Sequence, residues 1–369
     1  MYELQAVHKR YGLSKVALRK IDLEVREREF LVIYGPAGAG KSTILNILAG
    51  ITRPTSGEVL RDGVSILRVP PEKRDAAMAF ENYALYSHIS VGENLAFPLK
   101  ARGMNRAEIE ARVKRVSGIL GIGHLLDRRP GFLSGGQRQR VALGRAIIRP
   151  ADIYLLDEPV GHLDAKLRHR IRAELKALAA DLSATVVFTT TSSREALALG
   201  DRVVVLNTGR IEQAGTPAEV YHRPANAFVA SFVGDPPMSF ITVLPRKGEG
   251  RVSFVTGDGM PVASLPAAAL ERLREEESST LQVGFRSNEV RLAGPGDPGT
   301  LRGTVNVVEN LGYVKIALVG IGADQVSVSV PAGTPLAVGE TVAITFPRDA
   351  VHLFQNARAV SHAAPLAGA

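Results

Sequence analysis

The apolar positions of this chain change period along its length. At Phe30–Tyr34 they run consecutively, the pattern of a strand buried on both faces, and at Ile44, Leu45, Ile47 and Leu48 they recur at helical spacing. Shorter strand-like stretches precede them at Glu3–Val7 and Ile21–Val25, with Tyr11-Gly12 on a polar loop between. Gly57–Leu60 leads into Asp62-Gly63, a hairpin signal, and residues 77–82 read as a buried strand leaving into a loop. Residues 92–128 are mostly helical, Arg138–Arg149 forms a basic amphipathic helix, and residues 152–158 form a strand ending in two carboxylates. Ala165–Ala180 is a helix and Thr185–Thr191 a strand, followed by a strand–turn–strand over 203–213. This alternation predicts an α/β domain over residues 1–233, with a helical subdomain at about 87–150.

Beyond Gly234-Asp235-Pro236-Pro237 the period becomes two: Val326, Val328 and Val330 alternate with serines, and Val342, Ile344 and Phe346 repeat the pattern. Residues 234–356 therefore read as an all-β domain, a small barrel, with one helix over Ala267–Glu277 and a turn at Gly294–Gly299. The Ala-rich tail over 357–369 reads as disordered.

Composition narrows the picture. A length of 369 residues exceeds one ordinary core, and 45% hydrophobic with 22% charged residues fits a water-soluble protein. No apolar run reaches the ~20 residues of a membrane helix, and MYELQAVHKRYG lacks a signal-peptide core, so a cytosolic chain is expected. Zero cysteines exclude disulfides and thiolate metal sites. The net charge of +8 is scattered rather than blocked, which favours a nucleotide ligand and a membrane-face location over nucleic acid.

The candidate chemistry begins at Gly35-Pro36-Ala37-Gly38-Ala39-Gly40-Lys41-Ser42-Thr43. This is G-x-x-x-x-G-K-[ST] between a strand and a helix, the context that confirms a phosphate loop. Its glycines let backbone N–H groups close on phosphate oxygens at a helix N-terminus. Lys41 reaches the β- and γ-phosphates, and the Ser42 hydroxyl is a ligand for Mg2+. Leu155-Leu156-Asp157-Glu158 ends a strand as a Walker B motif does: Asp157 holds Mg2+ through water and Glu158 polarises the attacking water. Leu133-Ser134-Gly135-Gly136-Gln137 precedes the basic helix, with Ser134 placed as its cap.

Together these three motifs resemble the ATP-binding-cassette ATPases. Asn82–Tyr86, Glu93–Leu99, Leu133–Ile147, Leu163–Arg168 and Gly209–Tyr221 are similar to the subgroup that drives bacterial sugar and polyol importers. The all-β segment is similar to that subgroup's C-terminal oligonucleotide-binding-like (OB-like) domain, which in this setting serves dimerisation and regulation. The resemblance implies an α/β P-loop nucleotide-binding domain with a helical subdomain, followed by an OB-like barrel. It implies ATP and Mg2+, a dimer that sandwiches two nucleotides, two membrane permease subunits and an extracytoplasmic solute-binding protein, at the cytoplasmic face of the cell membrane. Ser134, Gly135, Gly136 and Gln137 then complete the site of the opposite subunit, and Tyr11 stacks on adenine.

Three departures from that family's pattern fall on chemistry. Glu81 stands where the family has a Gln that offers a neutral amide oxygen to Mg2+ and helps place the attacking water. Thr191 stands at the position of the switch histidine that contacts the γ-phosphate, with shorter reach and no imidazole. Gly161-His162-Leu163-Asp164 replaces Ser-x-Leu-Asp; position 162 is directed toward the subunit interface rather than toward the missing histidine's place. The expectation is a site that binds ATP and turns it over slowly, in a heterodimer with a second, non-identical ATPase. An ordinary active homodimer and a nucleotide-dependent regulatory scaffold are the alternatives.

Overall fold

The structure is a computed structural model that describes residues 1–161, 163–181, 183–267, 280–294, 297, 300–347 and 351–362. It divides into two units, Met1–Pro217 and Ala218–Ala369.

The first unit opens with long antiparallel strands β1 (Tyr2–Tyr11) and β2 (Lys15–Val25), which extend well past the short segments expected there. Tyr11 is the last residue of β1 and pairs with Lys15, so it is a strand residue and not a loop one. After β3 (Phe30–Tyr34) and α1 (Lys41–Leu48), β4 (Ser56–Arg61) pairs with β1 and turns through Asp62-Gly63, both at positive φ, into β5 (Val64–Ser65). These strands form a four-stranded antiparallel sheet in the order β2-β1-β4-β5. The remaining elements are β6 (Ala76–Ala79), α2 (Val91–Lys100), α3 (Arg106–Ile119), α4 (Gly135–Ile147), β7 (Ile153–Asp157), α5 (Ala165–Asp181), β8 (Val186–Thr190), α6 (Ser193–Leu199), β9 (Arg202–Asn207) and β10 (Arg210–Gly215). They complete a six-stranded sheet in the order β10-β9-β3-β8-β7-β6, parallel except at the β9–β10 edge. Every residue of β3, β7 and β8 is buried, as consecutive apolar runs require. The phosphate-loop connection and the Asp-Glu pair thereby leave the same, C-terminal edge of that sheet, where open α/β sheets place their ligands.

Arg74 locks the far end of α1. Its guanidinium donates to the carbonyls of Ile47 (2.9 Å), Leu48 (3.0 Å), Ile66 (2.7 Å) and Val69 (2.9 Å). One of those, Leu48, is a carbonyl that the end of the helix leaves without a backbone donor, while Ile47 also accepts from the Gly50 N–H. Gly50 takes φ +80° beside it, and a Cβ there would stand 2.5 Å from the Arg74 Nε. Burial pulls the Arg74 pKa below the ordinary guanidinium value, yet the group stays charged.

The second unit begins earlier than the composition change at Gly234. It includes the rest of α7 (Pro217–His222) and α8 (Ala227–Phe232), because α8 buries Ala230 against Met238 and Phe354 of the β-domain. Among the described residues eleven strands follow: β11 (Ser239–Lys247), β12 (Arg251–Val255), β13 (Pro261–Pro266), β14 (Leu281–Phe285), β15 (Arg291–Leu292), β16 (Leu301–Asn310), β17 (Val314–Ile321), β18 (Asp324–Pro331), β19 (Thr341–Thr345), β20 (His352–Gln355) and β21 (Arg358–Ser361). They form sheets of order β13-β12-β11-β14-β20-β21 and β15-β19-β16-β17-β18. The Thr242 N–H donates to Asp324 and the Ser327 N–H to Ser239, joining β11 to β18 and nearly closing a barrel. Val326, Val328 and Ile344 lie in its core as the period-two pattern requires.

Residues 357–362 depart from the disorder expected of the tail. Arg358–Ser361 pairs with β20, and Asn226 bridges to Arg358. Val360 is buried, so even a short apolar contact holds this strand in place. The expected helix over Ala267–Glu277, all but its first residue, lies outside the described residues, as does much of the Gly294–Gly299 turn.

Arg74→Met is expected to cost about 2–4 kcal/mol of stability, because it removes four charge-assisted bonds and leaves the Leu48 and Val69 carbonyls without that donor. Gly50→Ala is expected to destabilise through strained backbone and displacement of the same guanidinium. Urea unfolding of the purified chain measures both, and wild-type midpoints would contradict the clamp.

Candidate functional site

The loop from Gly35 to Gly40 leaves the C-terminal end of β3. The Gly35 N–H donates to the carbonyl of Thr190 at the end of β8, which ties the loop's first residue to the neighbouring strand (3.3 Å). Gly40 caps α1 at φ +109°, where a Cβ would lie 2.7 Å from the Ala17 carbonyl oxygen. No side chain caps this helix. The N–H groups of its first turn therefore present an uncancelled positive end.

Lys41 is the centre of charge. It is only 5% exposed, and its ammonium donates to the carbonyls of Gly35 (2.9 Å) and Pro36 (3.1 Å) and pairs with Glu158 Oε1 at 3.1 Å. The strand end at β7 thus meets the loop at the end of β3. Glu158 holds its place at φ +44°, a conformation rare for a residue with a side chain. Two partners keep it there. Its N–H donates to Thr189 Oγ1 (3.0 Å), and its carbonyl accepts from Gln139 Nε2 (2.8 Å).

Asp157 lies beside Ser42. The Thr189 hydroxyl donates to Asp157 Oδ1 at 2.7 Å, and Ser42 also bonds its carboxylate. Burial raises the Asp157 pKa, and the hydrogen bonds from Thr189 and Ser42 offset this only in part. Ser42, Asp157 and Glu81 line one cleft of about 340 Å³, with Asn46, Phe80 and Asn82. A hydroxyl and two carboxylates suit a hard, oxygen-seeking cation such as Mg2+. Among the described residues no cluster of three or more His, Cys, Asp or Glu forms a metal site without such help. Mg2+ typically keeps waters and phosphate oxygens among its ligands, and this sparse set agrees with that habit.

The other candidate residues lie elsewhere. Tyr11 is 39% exposed at the end of β1, with the Lys9 ammonium 4.8 Å from its ring centre. Ser134 caps α4 and forms a capping box with Gln137: the Gln137 N–H donates to Ser134 Oγ (3.3 Å), and the Ser134 N–H to Gln137 Oε1 (2.9 Å). Ser134, Gly135, Gly136 and Gln137 do not line the Ser42–Asp157 cleft. Thr191 follows β8 directly and is exposed, and its side chain makes no hydrogen bond among the described residues. Its neighbour Thr190 instead donates to Glu195 (2.5 Å). Position 162 lies outside the described residues.

Thr189 and Gln139 are the functional residues that sequence reasoning passed over. Thr189 was legible only as a polar residue in an apolar strand, paired in register with Asp157. Gln139 lay within a quoted motif but on a helical face whose direction the sequence did not reveal.

A phosphate loop, a Walker B carboxylate pair and a capped signature helix on a mixed sheet define an ATP-binding-cassette nucleotide-binding domain. Known proteins agree. The ABC transporter family model matches residues 18–161, and the TOBE domain model matches residues 283–354. The chain is 42% identical over 364 residues to the sn-glycerol-3-phosphate import ATP-binding protein of Cupriavidus metallidurans, covering 95% of each chain. It is 41% identical to the Rhizobium johnstonii protein of that description, over 95% of this chain and 93% of the relative. It is 40% identical to the trehalose/maltose import ATP-binding protein of Thermococcus litoralis, over 92% and 94%. A dimeric ATP-binding cassette solved with ADP and Pi superposes with a TM-score of 0.55 at 31% identity, over 59% of this chain and 99% of that one. The chain belongs to the ABC transporter family as an ATPase subunit with a C-terminal TOBE, OB-like domain.

The raised Asp157 pKa gives a signed prediction. A carboxyl whose folded pKa lies above its unfolded value penalises the nucleotide-free fold above that folded pKa, and the penalty vanishes below the unfolded value. Asp157→Asn is therefore expected to raise the unfolding midpoint of the nucleotide-free protein at about pH 8, with the gain fading toward about pH 4. A midpoint lowered equally at both pH values would contradict it.

Proposed function

We propose that this chain is the energy-coupling ATP-binding subunit of an importer for a glycerol phosphate or carbohydrate solute. It works at the cytoplasmic face of the cell membrane with two permease subunits and an extracytoplasmic solute-binding protein. The carrying observation is identity of 40–42% to import ATP-binding proteins across both domains, at more than 90% coverage of both chains. Among the described residues no helix is long and apolar enough to cross a membrane, in keeping with a subunit that docks on membrane partners.

The residues divide the chemistry as follows. The loop from Gly35 to Thr43 and the open end of α1 receive the nucleotide phosphates. Lys41 leaves Glu158 for phosphate oxygens. Glu158, released but still fixed through Thr189 and Gln139, accepts the proton of the attacking water. Ser42 and Asp157 hold Mg2+, with Glu81 on the same cleft, and the ion neutralises phosphate charge when bound. Tyr11 offers adenine an exposed ring. Ser134, Gly135, Gly136 and Gln137 act on the nucleotide of the opposing subunit.

The own site is slow. Glu81 places a negative charge where a neutral amide oxygen is the family's choice, on the wall shared with Ser42 and Asp157. Thr191 ends too short to reach as a histidine does. Each such loss of a positioning group costs ~10²–10³-fold in rate. A subunit with a slow site and an intact signature motif is best paired with a second, non-identical ATPase whose site it completes.

Glu81→Gln/Thr191→His is expected to raise steady-state ATP turnover of the purified chain by at least ~10-fold, and Glu158→Gln to abolish what remains in the wild type. Fast turnover by wild-type homodimers would reject both the slow site and the non-identical partner. Failure of a tagged chain to co-purify with permease subunits would reject the importer role.

A further inference from the structure

The first unit carries a second cavity, at the opposite edge of the sheet. It has a volume of about 560 Å³, well within the range of small-molecule sites. Thr185, just before β8, and Tyr154, near the start of β7, line it, whereas Asp157 and Thr190, beside the phosphate loop, end those strands. Four residue steps along β7, about 13 Å, separate the two edges.

Its charge is unusual. Arg28, Arg112 and Arg115 all line it and are all exposed. The side chains of Arg28 and Arg115 make no ion pair or hydrogen bond among the described residues. Arg112 makes only a long bond to the Ile148 carbonyl (3.4 Å). The carboxylates on the rim are already engaged: Asp152 binds Arg61 at 2.8 Å, and Asp62 and Glu27 bind the terminal amine of Met1. Tyr2 also lines it, 4% exposed, with its hydroxyl buried out of reach of the cavity. Val116, Ile119, Ile147 and Ile148 add an apolar wall.

We infer that this cavity is a second ligand site, for a small organic phosphate. Guanidinium groups match phosphate oxygens in charge and in fork geometry. The apolar wall accepts a carbon skeleton. The site is physically separate from the phosphate loop and does not depend on which solute is imported. Its occupant would join α3 and the end of α4 to the sheet edge, and the signature residue Ser134 caps the other end of α4. The ligand therefore bears on the segment that faces the partner's nucleotide.

The test is calorimetric titration of the full chain with its phosphate loop filled by a non-hydrolysable ATP analogue and Mg2+. The probes are glucose 6-phosphate, inorganic phosphate and uncharged glucose. Glucose 6-phosphate is expected to bind one site with a Kd below about 1 mM, and glucose not at all. Arg112→Gln/Arg115→Gln is expected to weaken it at least ~10-fold, the usual scale of two lost charge-assisted bonds. Both positions are exposed, so the variant should keep the wild-type unfolding midpoint. Inorganic phosphate binding as tightly supports recognition of the headgroup alone, and weaker binding supports a contribution from the skeleton. No binding of either phosphate up to about 10 mM, or an unchanged affinity in the double variant, would overturn the site.

Discussion

A buried ammonium must find oxygens, and the catalytic unit is arranged around how Lys41 does so. It takes the carbonyls of Gly35 and Pro36 from its own loop and a carboxylate oxygen from Glu158 across the sheet. An unpaired charge at that depth would cost several kcal/mol. The pairing therefore links the end of β3 to the end of β7 before any ligand arrives. It also holds Glu158, the proposed general base, on the ammonium of the phosphate loop. On the proposed reading, phosphate entry replaces one anion by another at Lys41 and releases Glu158, so that binding and activation of the base become one exchange.

Around that exchange lies a shell whose work is positional. Glu158 sits in a left-handed conformation that costs of order 1–3 kcal/mol and persists because Thr189 and Gln139 hold its N–H and carbonyl. Thr189 reaches Asp157 with the same hydroxyl, so one residue orders both carboxylates. At the other end of α1, Arg74 ties the helix to the loop after β5. A helix fixed at its C-terminus presents its uncapped N-terminus at a defined point. Glu81 and Thr191 lie outside this rigid set, on exposed segments.

Much of this could be read from the sequence, for identifiable reasons. Phe30–Tyr34 and Ile153–Asp157 announced themselves because a doubly buried strand needs an unbroken apolar run, and the phosphate loop because its glycines are demanded by backbone geometry. The Asp62-Gly63 turn and the Ser134 cap followed from equally local rules. What stayed hidden was long-range. The salt bridge from Lys41 to Glu158 joins residues more than a hundred positions apart. Gln139 and Thr189 matter through the direction of one side chain. The ends of β1 and β2 ran past their apolar cores because antiparallel pairing carries polar residues along with it. The strand Arg358–Ser361 was read as disorder because its partner, β20, and not its own composition, makes it a strand. Likewise α8 was assigned to the first domain by its place in the chain, whereas its apolar contacts put it in the second.

If Lys41 is shared between Glu158 and the nucleotide, removing the competing carboxylate charge must favour the nucleotide. Equilibrium binding of a non-hydrolysable ATP analogue with Mg2+ to wild-type protein and to Glu158→Gln measures this directly. The expected result is tighter binding by the variant, by about 3–10-fold, which is the scale of one partly buried ion pair at roughly 1 kcal/mol. Equal or weaker binding by Glu158→Gln would contradict the exchange at Lys41.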